Sequence, residues 1–465
     1  MSRVVAVSNR VSLPRRGAVP GGLTVGLMAA MKSRGGLWFG WNGETGESTT
    51  AVKLARRGGV TFATVNLTET ELQQHYHGFC NGTLWPLFHY FLDGFRYFDE
   101  QYEAYLAVNQ RFARELVPQL QADDIVWVHD YHLLPLAQQL RLAGADQPIG
   151  LFLHIPFPHL ESLRVLPVHV DLLRAMLDYD LVGFQTERDL AAFVTAVTQL
   201  WGSECLLADG SLRVGERRVQ TGCFPIGVSV DGIRSEAERT EPSDSCQRLI
   251  RGLLGKQLIM GVDRLDYSKG LVERFRAYER FLETNPDSQN RVSFIQIAPL
   301  SRSDVQAYAT IRHELEQTAG RINGRFADTD WTPIRYLNRN FPHDVLMAFM
   351  RNAQVGLVTP LRDGMNLVAK EFVAAQKAED PGVLVLSTLA GAALELSAAL
   401  QVNPYDCNGV AHAIEQALHM PLAERRERHE AMLDALRRND IDAWHTRFLE
   451  CLRNAAGFRG QKTLQ

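Results

Sequence analysis

Two carboxylates and three cations carry the chemistry of this chain. In VGLVTPLRDGMNLVAKE, Val355 to Glu371, a buried strand is expected to give way to a short polar loop and then a helix. Asp363 stands in the loop, and Glu371 follows it by eight residues, on the helix. An ionised carboxylate only accepts hydrogen bonds, so one at the mouth of a parallel sheet and one on the adjacent helix suit hydroxyl groups. In MGVDRLDYSKGLVERF, Arg264 follows another expected strand, and Lys269 with Gly270 opens the next helix. Helix N-termini favour anions through free N–H groups and the macrodipole, and an added Arg and Lys make the place fit for a diphosphate. IQIAPLSRSDVQAY repeats the arrangement, with Arg302 as a further phosphate ligand at a helix start, where its charge opposes the dipole. Acid for hydroxyls with base for phosphates is what a glycosyl-nucleotide site requires, the hydroxyls being those of a sugar and a ribose.

The N-terminal half offers polar groups at strand ends. Ser8-Asn9-Arg10 closes the first expected strand, and Gly21-Gly22-Leu23 starts a helix, where glycine lets the backbone approach a phosphate or sugar. IVWVHDYHLLP ends a strand at Asp130, and LFLHIPFP ends another at His154. A lone His at a strand end is more often structural, but two polar groups from different strands aimed at one place point to a site. Trp38, Trp41, Tyr76 and Trp85 stand on segments read as Gly-rich or turn-like, and could be sugar platforms or plain core. Neither GxGxxG nor GxxxxGK[ST] occurs, which argues against a dinucleotide fingerprint and a P-loop. DxD occurs at Asp178–Asp180, Asp328–Asp330 and Asp440–Asp442, in such different settings that no metal is assigned to any of them.

The elements that must position these groups alternate between short apolar runs and amphipathic segments, the pattern of an α/β fold with parallel sheets. Strands are expected at Val4–Val7, Ile125–Val128, Ile149–His154, Leu181–Phe184, Val219–Phe224, Leu258–Val262, Val292–Ile297, Val355–Val358 and Val383–Leu386. Helices are expected at Glu100–Leu120, Glu187–Leu200, Leu271–Glu283, Ser303–Ala319, Asn366–Ala375, Val410–Leu418 and, as a pair, Leu422–Arg453. The polar GIRSEAERTEPSDSCQR reads as a linker over residues 232–248, between domains at 1–231 and 249–440. Residues 441–465 are then a C-terminal helix and tail that cross back to the N-terminal domain. Ligands of such folds bind outside the C-terminal ends of the strands, in a cleft between two tandem sheets.

The 49 basic and 53 acidic residues give a formal net charge of −4, which supplies no field for nucleic acid or an anionic membrane. A phosphorylated ligand must therefore be held by a few placed cations. The six cysteines are scattered, without CxxC pairs or zinc spacing, as in a reduced compartment. MSRVVAVSNR opens as a strand and lacks the apolar core of a signal peptide, and no run approaches a membrane span. A cytoplasmic protein is expected.

Taken in order, SNR at 8–10, GGL at 21–23, GGLWFGW at 35–41, the stretch from Tyr76 to LWP at 84–86, WVHDYHLLP at 127–135, FLHIPFP at 152–158, GFQT at 183–186, DRLDYSKGL at 263–271, SRSDVQAY at 301–308, AGRINGRF at 319–326 and VTPLRDGMNLVAKE at 358–371 resemble the trehalose-6-phosphate synthase family. The resemblance runs from residue 4 to about 406. It implies GT-B architecture, two Rossmann-like domains facing a central cleft, and a retaining glycosyltransferase. Such an enzyme passes glucose from a nucleotide sugar, usually UDP-glucose, to glucose 6-phosphate, giving α,α-trehalose 6-phosphate.

By that resemblance, Arg10, Tyr76, Trp85, Asp130 and Arg302 hold glucose 6-phosphate in the N-terminal domain, with Trp85 and Ile155 selecting the acceptor anomer. Gly21 and Gly22 approach the donor, Arg264 and Lys269 grip its diphosphate, Asp363 its glucose hydroxyls and Glu371 its ribose. Phe341 and the backbone of Leu367, Val368, Ala369, Lys370 and Glu371 line the nucleotide. His154 lies beside the transferring sugar, and with Asp130, Arg264, Lys269 and Asp363 forms the catalytic set. The residues alone read Arg302 only as a phosphate ligand; its assignment to the acceptor comes from the resemblance. UDP-glucose is a co-substrate, no cofactor and no metal is implied, the partners are small molecules, and the family forms homodimers or homotetramers. The base of the donor stays open among UDP, GDP and ADP. The loop Val11–Pro20 is short and carries Arg15-Arg16, a departure that bears on closure over the ligands, and no added phosphatase domain is expected. Two alternatives keep the resemblance: the same fold acting on another acceptor (a glucosylglycerol-phosphate synthase or a pseudo-glycosyltransferase), or a non-catalytic sensor of sugar phosphates. A nicotinamide-dependent oxidoreductase is disfavoured by the missing GxGxxG.

Overall fold

The run VVAV at the start of the chain is β-branched on both faces, as a strand covered on both sides must be, and it forms the middle of a parallel sheet. The computed structural model describes residues 2–11, 27–28, 30–31, 35–47, 51–300 and 306–456. Contacts gather these into two compact units. One holds the beginning of the chain, the segment through Ile226 and the helix from Asp442 onward; the other holds Gly227–Ile441.

The first unit is built on nine strands: β1 (Val4–Arg10), β2 (Gly36–Thr45), β3 (Lys53–Arg57), β4 (Val60–Leu67), β5 (Ile125–His129), β6 (Ile149–Phe152), β7 (Leu181–Phe184), β8 (Leu212–Val214) and β9 (Arg217–Cys223). Their order across the sheet is β3-β4-β2-β1-β5-β6-β7-β9-β8. Pairings are parallel except for β3 with β4 and β8 with β9. The second unit carries six strands: β10 (Gln257–Val262), β11 (Val292–Ile297), β12 (Ile334–Leu337), β13 (Val355–Val358), β14 (Val383–Ser387) and β15 (Leu400–Val402). They run all parallel in the order β12-β11-β10-β13-β14-β15. In each sheet the chain builds outward to one side, returns to the middle and builds outward to the other. The reversal falls between β1 and β5 in the first and between β10 and β13 in the second, the places where open α/β sheets bind ligands.

Each of the nine expected strands is present, and six others were not anticipated. β2 carries GLWFGWNGET, whose glycines mask it; a Cβ at Gly40 would lie 2.0 Å from the Ser8 carbonyl oxygen, so only glycine lets β1 come this close. β3 is exposed and basic, a guarded edge without an apolar alternation. The remaining four, β4, β8, β12 and β15, lie at or next to sheet edges. The segment 232–248, expected as a linker, is instead mostly helical: Val230–Thr240 and Asp244–Leu253 are helices of the second unit, and Ser243 caps the latter by accepting from the Cys246 N–H. The helix expected to end at Ala319 runs on to Phe326.

The helix Ile441–Ala456 packs its aromatic face on the first unit's sheet. Phe448 stacks on Trp127 at 5.0 Å and meets Phe152 edge-on at 5.8 Å, while Trp444 lies 4.8 Å from Trp127. Glycine in β6 and β7 makes the room, since a Cβ at Gly183 would come within 2.7 Å of the Phe448 ring. Replacing Phe448 by Ala should destabilise the first unit by about 3–5 kcal/mol, read as a lowered urea midpoint in near-UV circular dichroism.

Candidate active site

In the second unit the site is assembled where β10 and β13 separate. After Val262 the chain turns through Asp263, Arg264 and Leu265 into a short helical turn, Tyr267–Lys269, and then through Gly270 into the helix Leu271–Thr284. Gly270 has φ of 63°, and a Cβ there would sit 2.6 Å from the Thr359 carbonyl oxygen, so the turn lies directly against the loop after β13. The Leu361 N–H donates to the Ser268 carbonyl at 2.8 Å, fastening the two segments. Lys269 Nζ thereby meets Asp363 Oδ2 at 2.5 Å, with both side chains about 85 % buried. Asn366 Nδ2 donates to the same oxygen at 3.1 Å, while its Oδ1 caps the helix Leu367–Ala375 by accepting from Ala369. Asn366 does this with φ of 82°, a left-handed conformation held at a cost of about 1–3 kcal/mol. Arg264 is half-exposed, its Nη2 3.9 Å from Asp266.

Beneath these groups lies a residue that sequence reasoning passed over. Arg274 is 1 % exposed. Its guanidinium donates to Asp263 at the end of β10, to Gln296 on β11 at 2.9 Å, to Thr359 Oγ1 after β13 at 3.0 Å and to the Lys269 carbonyl at 3.2 Å. Burial pushes the Asp263 carboxyl up, and Arg274 and Lys269 oppose that shift. The only sequence signal was an arginine on the apolar face of an amphipathic helix.

Glu371 is 8 % exposed on the helix Leu367–Ala375, and its Oε1 lies 3.4 Å from His343 Nε2. Leu367 and Val368 are partly exposed and Ala369 is buried. Lys370 turns inward, fully buried, with its amine against Glu395 at 2.6 Å. Phe341 stands under the Arg339 guanidinium at 4.6 Å and edge-on to Phe349.

In the first unit the polar groups stand at the ends of β1, β5 and β6, three neighbouring strands. Arg10 ends β1 and lies 5.7 Å over the Trp41 ring. Gly43 lets it lie flat: a Cβ there would be 2.8 Å from Arg10 Nε. Trp41 in turn faces Tyr76 at 5.7 Å, and Tyr76 stacks on His132 at 5.9 Å. These aromatics belong to regular structure and not to turns. Trp38 and Trp41 are on β2, and Tyr76 is on a π-helical stretch, Leu72–Leu84, that leads into Trp85. Asn81 ties that stretch, donating to the Tyr76 carbonyl at 2.7 Å and accepting from Tyr131 at 2.9 Å. π-Turns gather at functional sites, where the extra residue re-aims a side chain. Trp38, at 2 % exposure and donating to Ser8 Oγ, is core, whereas Trp85 is buried against His89 and Tyr131.

Asp130 follows β5 with φ of 78° and ψ of 169°, a conformation close to glycine-only. That twist sets its carboxylate to accept from the His154 backbone N–H at 3.2 Å. His154 stands beyond the end of β6, next to the buried Ile155, and its Nε2 is 3.1 Å from Nδ1 of His129, a second histidine that the sequence reading did not single out. Desolvation pushes both imidazoles down, His154 to about 3, so the pair is neutral. Gly21, Gly22, Arg302 and the loop residues 12–20 lie outside the described residues.

Among the described residues, no group of three or more His, Cys, Asp or Glu side chains is placed to hold a metal ion, and no helix is long and apolar enough to cross a membrane.

Residues 15–454 match the model of glycosyltransferase family 20. The chain belongs to that family. It is 50 % identical over 462 residues to the trehalose-6-phosphate synthase of Klebsiella pneumoniae subsp. pneumoniae, covering 98 % of this chain and 96 % of that one. A Burkholderia xenovorans α,α-trehalose-phosphate synthase (UDP-forming) in complex with glucose 6-phosphate superposes with a TM-score of 0.94 at 48 % identity, covering 97 % of this chain and all of that one. A structure from E. coli bound with UDP-2-fluoro glucose gives 0.93 at 49 % identity, covering 97 % and 99 %. The fold expected from the resemblance, two parallel-sheet units of GT-B type, is the family 20 fold found here, and the chain is a glycosyltransferase.

Within this family 20 chain, Arg274→Met should cost about 3–5 kcal/mol, because Asp263 is left buried without its partner. Adding Asp263→Asn should return part of the loss, the orphaned charge being gone; paired urea denaturation curves measure both.

Proposed function

We propose that this family 20 enzyme transfers glucose from UDP-glucose to glucose 6-phosphate with retention, forming α,α-trehalose 6-phosphate and UDP. The observation that carries the reading is the meeting of Lys269, Asp363 and Asn366 where β10 and β13 part, a cation and a carboxylate fixed side by side for a phosphate and a hydroxyl. The relatives known with glucose 6-phosphate and with UDP-2-fluoro glucose support the two substrates.

In this reading Lys269 and Arg264 take the donor diphosphate, Asp363 the glucose hydroxyls and Glu371 the ribose, and Phe341 with the backbone of Leu367–Glu371 lines the nucleotide. Gly21 and Gly22 approach the donor. Arg10, Tyr76, Trp85, Asp130 and Arg302 take glucose 6-phosphate, with Trp85 and Ile155 discriminating its anomers. Because Asp363 already holds Lys269, the ammonium is aimed before the donor arrives, and such preorganisation contributes roughly 3–4 kcal/mol for one key donor in known enzymes. As the glycosidic C–O bond breaks, the bonding pair stays on the diphosphate, where the two cations stabilise it, and the glucosyl carbon gains oxocarbenium character. The anomeric hydroxyl of glucose 6-phosphate attacks from the same face, and its proton passes to the departing phosphate oxygen. No protein nucleophile takes part. His154, neutral and held by its neighbours, lies beside the transferring sugar as a hydrogen-bonding group and not as an acid. UDP-glucose is thus a co-substrate, and the enzyme acts in the cytoplasm as a homodimer or homotetramer.

Incubation with UDP-, GDP- or ADP-glucose and glucose 6-phosphate, followed by product analysis, should give trehalose 6-phosphate with UDP-glucose at least; UDP release with a different acceptor alone would overturn the acceptor. Lys269→Ala should lower kcat by at least about 100-fold with an unchanged circular dichroism spectrum. Arg302→Ala should raise KM for glucose 6-phosphate far more than KM for the donor, and equal changes would contradict its acceptor role.

A further inference from the structure

Glu371 does not stand alone. His343 opens the helix His343–Arg351, and its ring is strung between two carboxylates from two other helices: Nδ1 lies 2.8 Å from Glu236 Oε2, on Val230–Thr240, and Nε2 lies 3.4 Å from Glu371 Oε1. All three side chains are mostly buried, at 16, 24 and 10 % exposure for His343, Glu236 and Glu371. A neutral imidazole carries one N–H, so one of these contacts would set a nitrogen lone pair against a carboxylate. Both contacts are favourable only for the ring protonated on both nitrogens.

From this geometry we infer that His343 is a positioning residue for the donor, an imidazolium that anchors Oε1 of Glu371 and so presents Oε2 to the vicinal diol of the ribose. The inference rests on the assignment of Glu371 to the ribose.

Burial works against the charged ring, yet the Glu371 and Glu236 carboxylates outweigh it and raise its pKa to about 9. Several other charges on the packed helices have partners of their own, while Asp231, Arg234 and Arg239 share the helix of Glu236 and Asp244 begins the next. On its own helix, Asp344 accepts from Thr240, and Arg351 reaches Glu238 and Glu241. Lys377 also pairs with Glu241, and Lys370 with Glu395. Arg248 and Arg251 bond within Asp244–Leu253, and Arg339 covers Phe341. The sign follows from a pKa raised above the ordinary 6.5: the imidazolium is complete below that value, persists at neutral pH and is lost as pH rises through about 9. Donor affinity should fall with it.

The test is UDP binding to the full-length enzyme by calorimetry, for wild type and His343→Gln, from pH 7 to 10. Wild type should bind roughly tenfold tighter than the variant at pH 7.5, and the ratio should collapse toward one above pH 9. Ionisation of the base and of the lysines is common to both proteins and cancels in the ratio. In kinetics, His343→Gln should raise KM for UDP-glucose and leave KM for glucose 6-phosphate unchanged. Nitrogen-15 spectra of histidine-labelled wild-type enzyme should show one ring, missing from the variant, with both nitrogens protonated at pH 7.5. A ratio independent of pH, or a neutral ring at pH 7.5, would overturn the inference even if binding weakened. Glu371→Gln separates the two readings: UDP binding unchanged in that variant removes the ribose assignment itself, whereas weakened binding there with normal binding in His343→Gln removes only the role of His343.

Discussion

A single buried guanidinium organises the candidate site of the second unit. Arg274 is removed from water at a cost of several kcal/mol, offset by its ion pair with Asp263 and by hydrogen bonds to groups on or just beyond different strands and turns. Asp263 follows β10, Thr359 follows β13, Gln296 belongs to β11 and the Lys269 carbonyl ends the turn Tyr267–Lys269. Strand ends are where a parallel sheet stops specifying its own geometry, since the ladder of hydrogen bonds has run out. Arg274 supplies the missing constraint, and Lys269 and Asp363 inherit their separation from it.

The first unit reaches the same end by strain instead of by a buried ion. Asp130 adopts a backbone conformation that glycine would take more readily, and the π-helical stretch at Leu72–Leu84 offsets Tyr76 from where an α-helix would place it. Asn366 adds a left-handed residue in the second unit. Distortions of about 1–3 kcal/mol persist when their surroundings over-determine them. Here the surroundings are visible: the Asp130 carboxylate on the His154 N–H, Asn81 on Tyr76 and Asn366 on both Asp363 and Ala369.

Much of this was legible in the residues. Ile125–Val128, Leu258–Val262 and Val355–Val358 are apolar runs of the kind a strand covered on both faces requires, and Asp130, Lys269 and Asp363 were found because they stand at the strand end, helix start or loop that follows such a run. What stayed hidden follows from physics. β2 was hidden by glycines that exist to let another backbone near, and β3 by an exposed surface that carries no alternation. The helices at Val230–Thr240 and Asp244–Leu253 looked like a linker because they are short and largely solvated, so their composition is that of a loop. Arg274, His129 and His343 act through tertiary partners remote in sequence, and no local pattern reports such a partnership. Trp38 and Trp41 share a motif, yet one is core and the other lies under Arg10; an alternation of two faces divides them.

The helix Ile441–Ala456 returns to a sheet whose strands were complete by Cys223. During synthesis that sheet leaves the ribosome with Trp127 and Phe152 bare, and the whole of Gly227–Ile441 must be translated before Trp444 and Phe448 can cover them. At ribosomal speed the delay is on the order of ten seconds or more. The nascent chain thus carries an uncovered aromatic surface for far longer than a domain takes to collapse, a natural station for a chaperone.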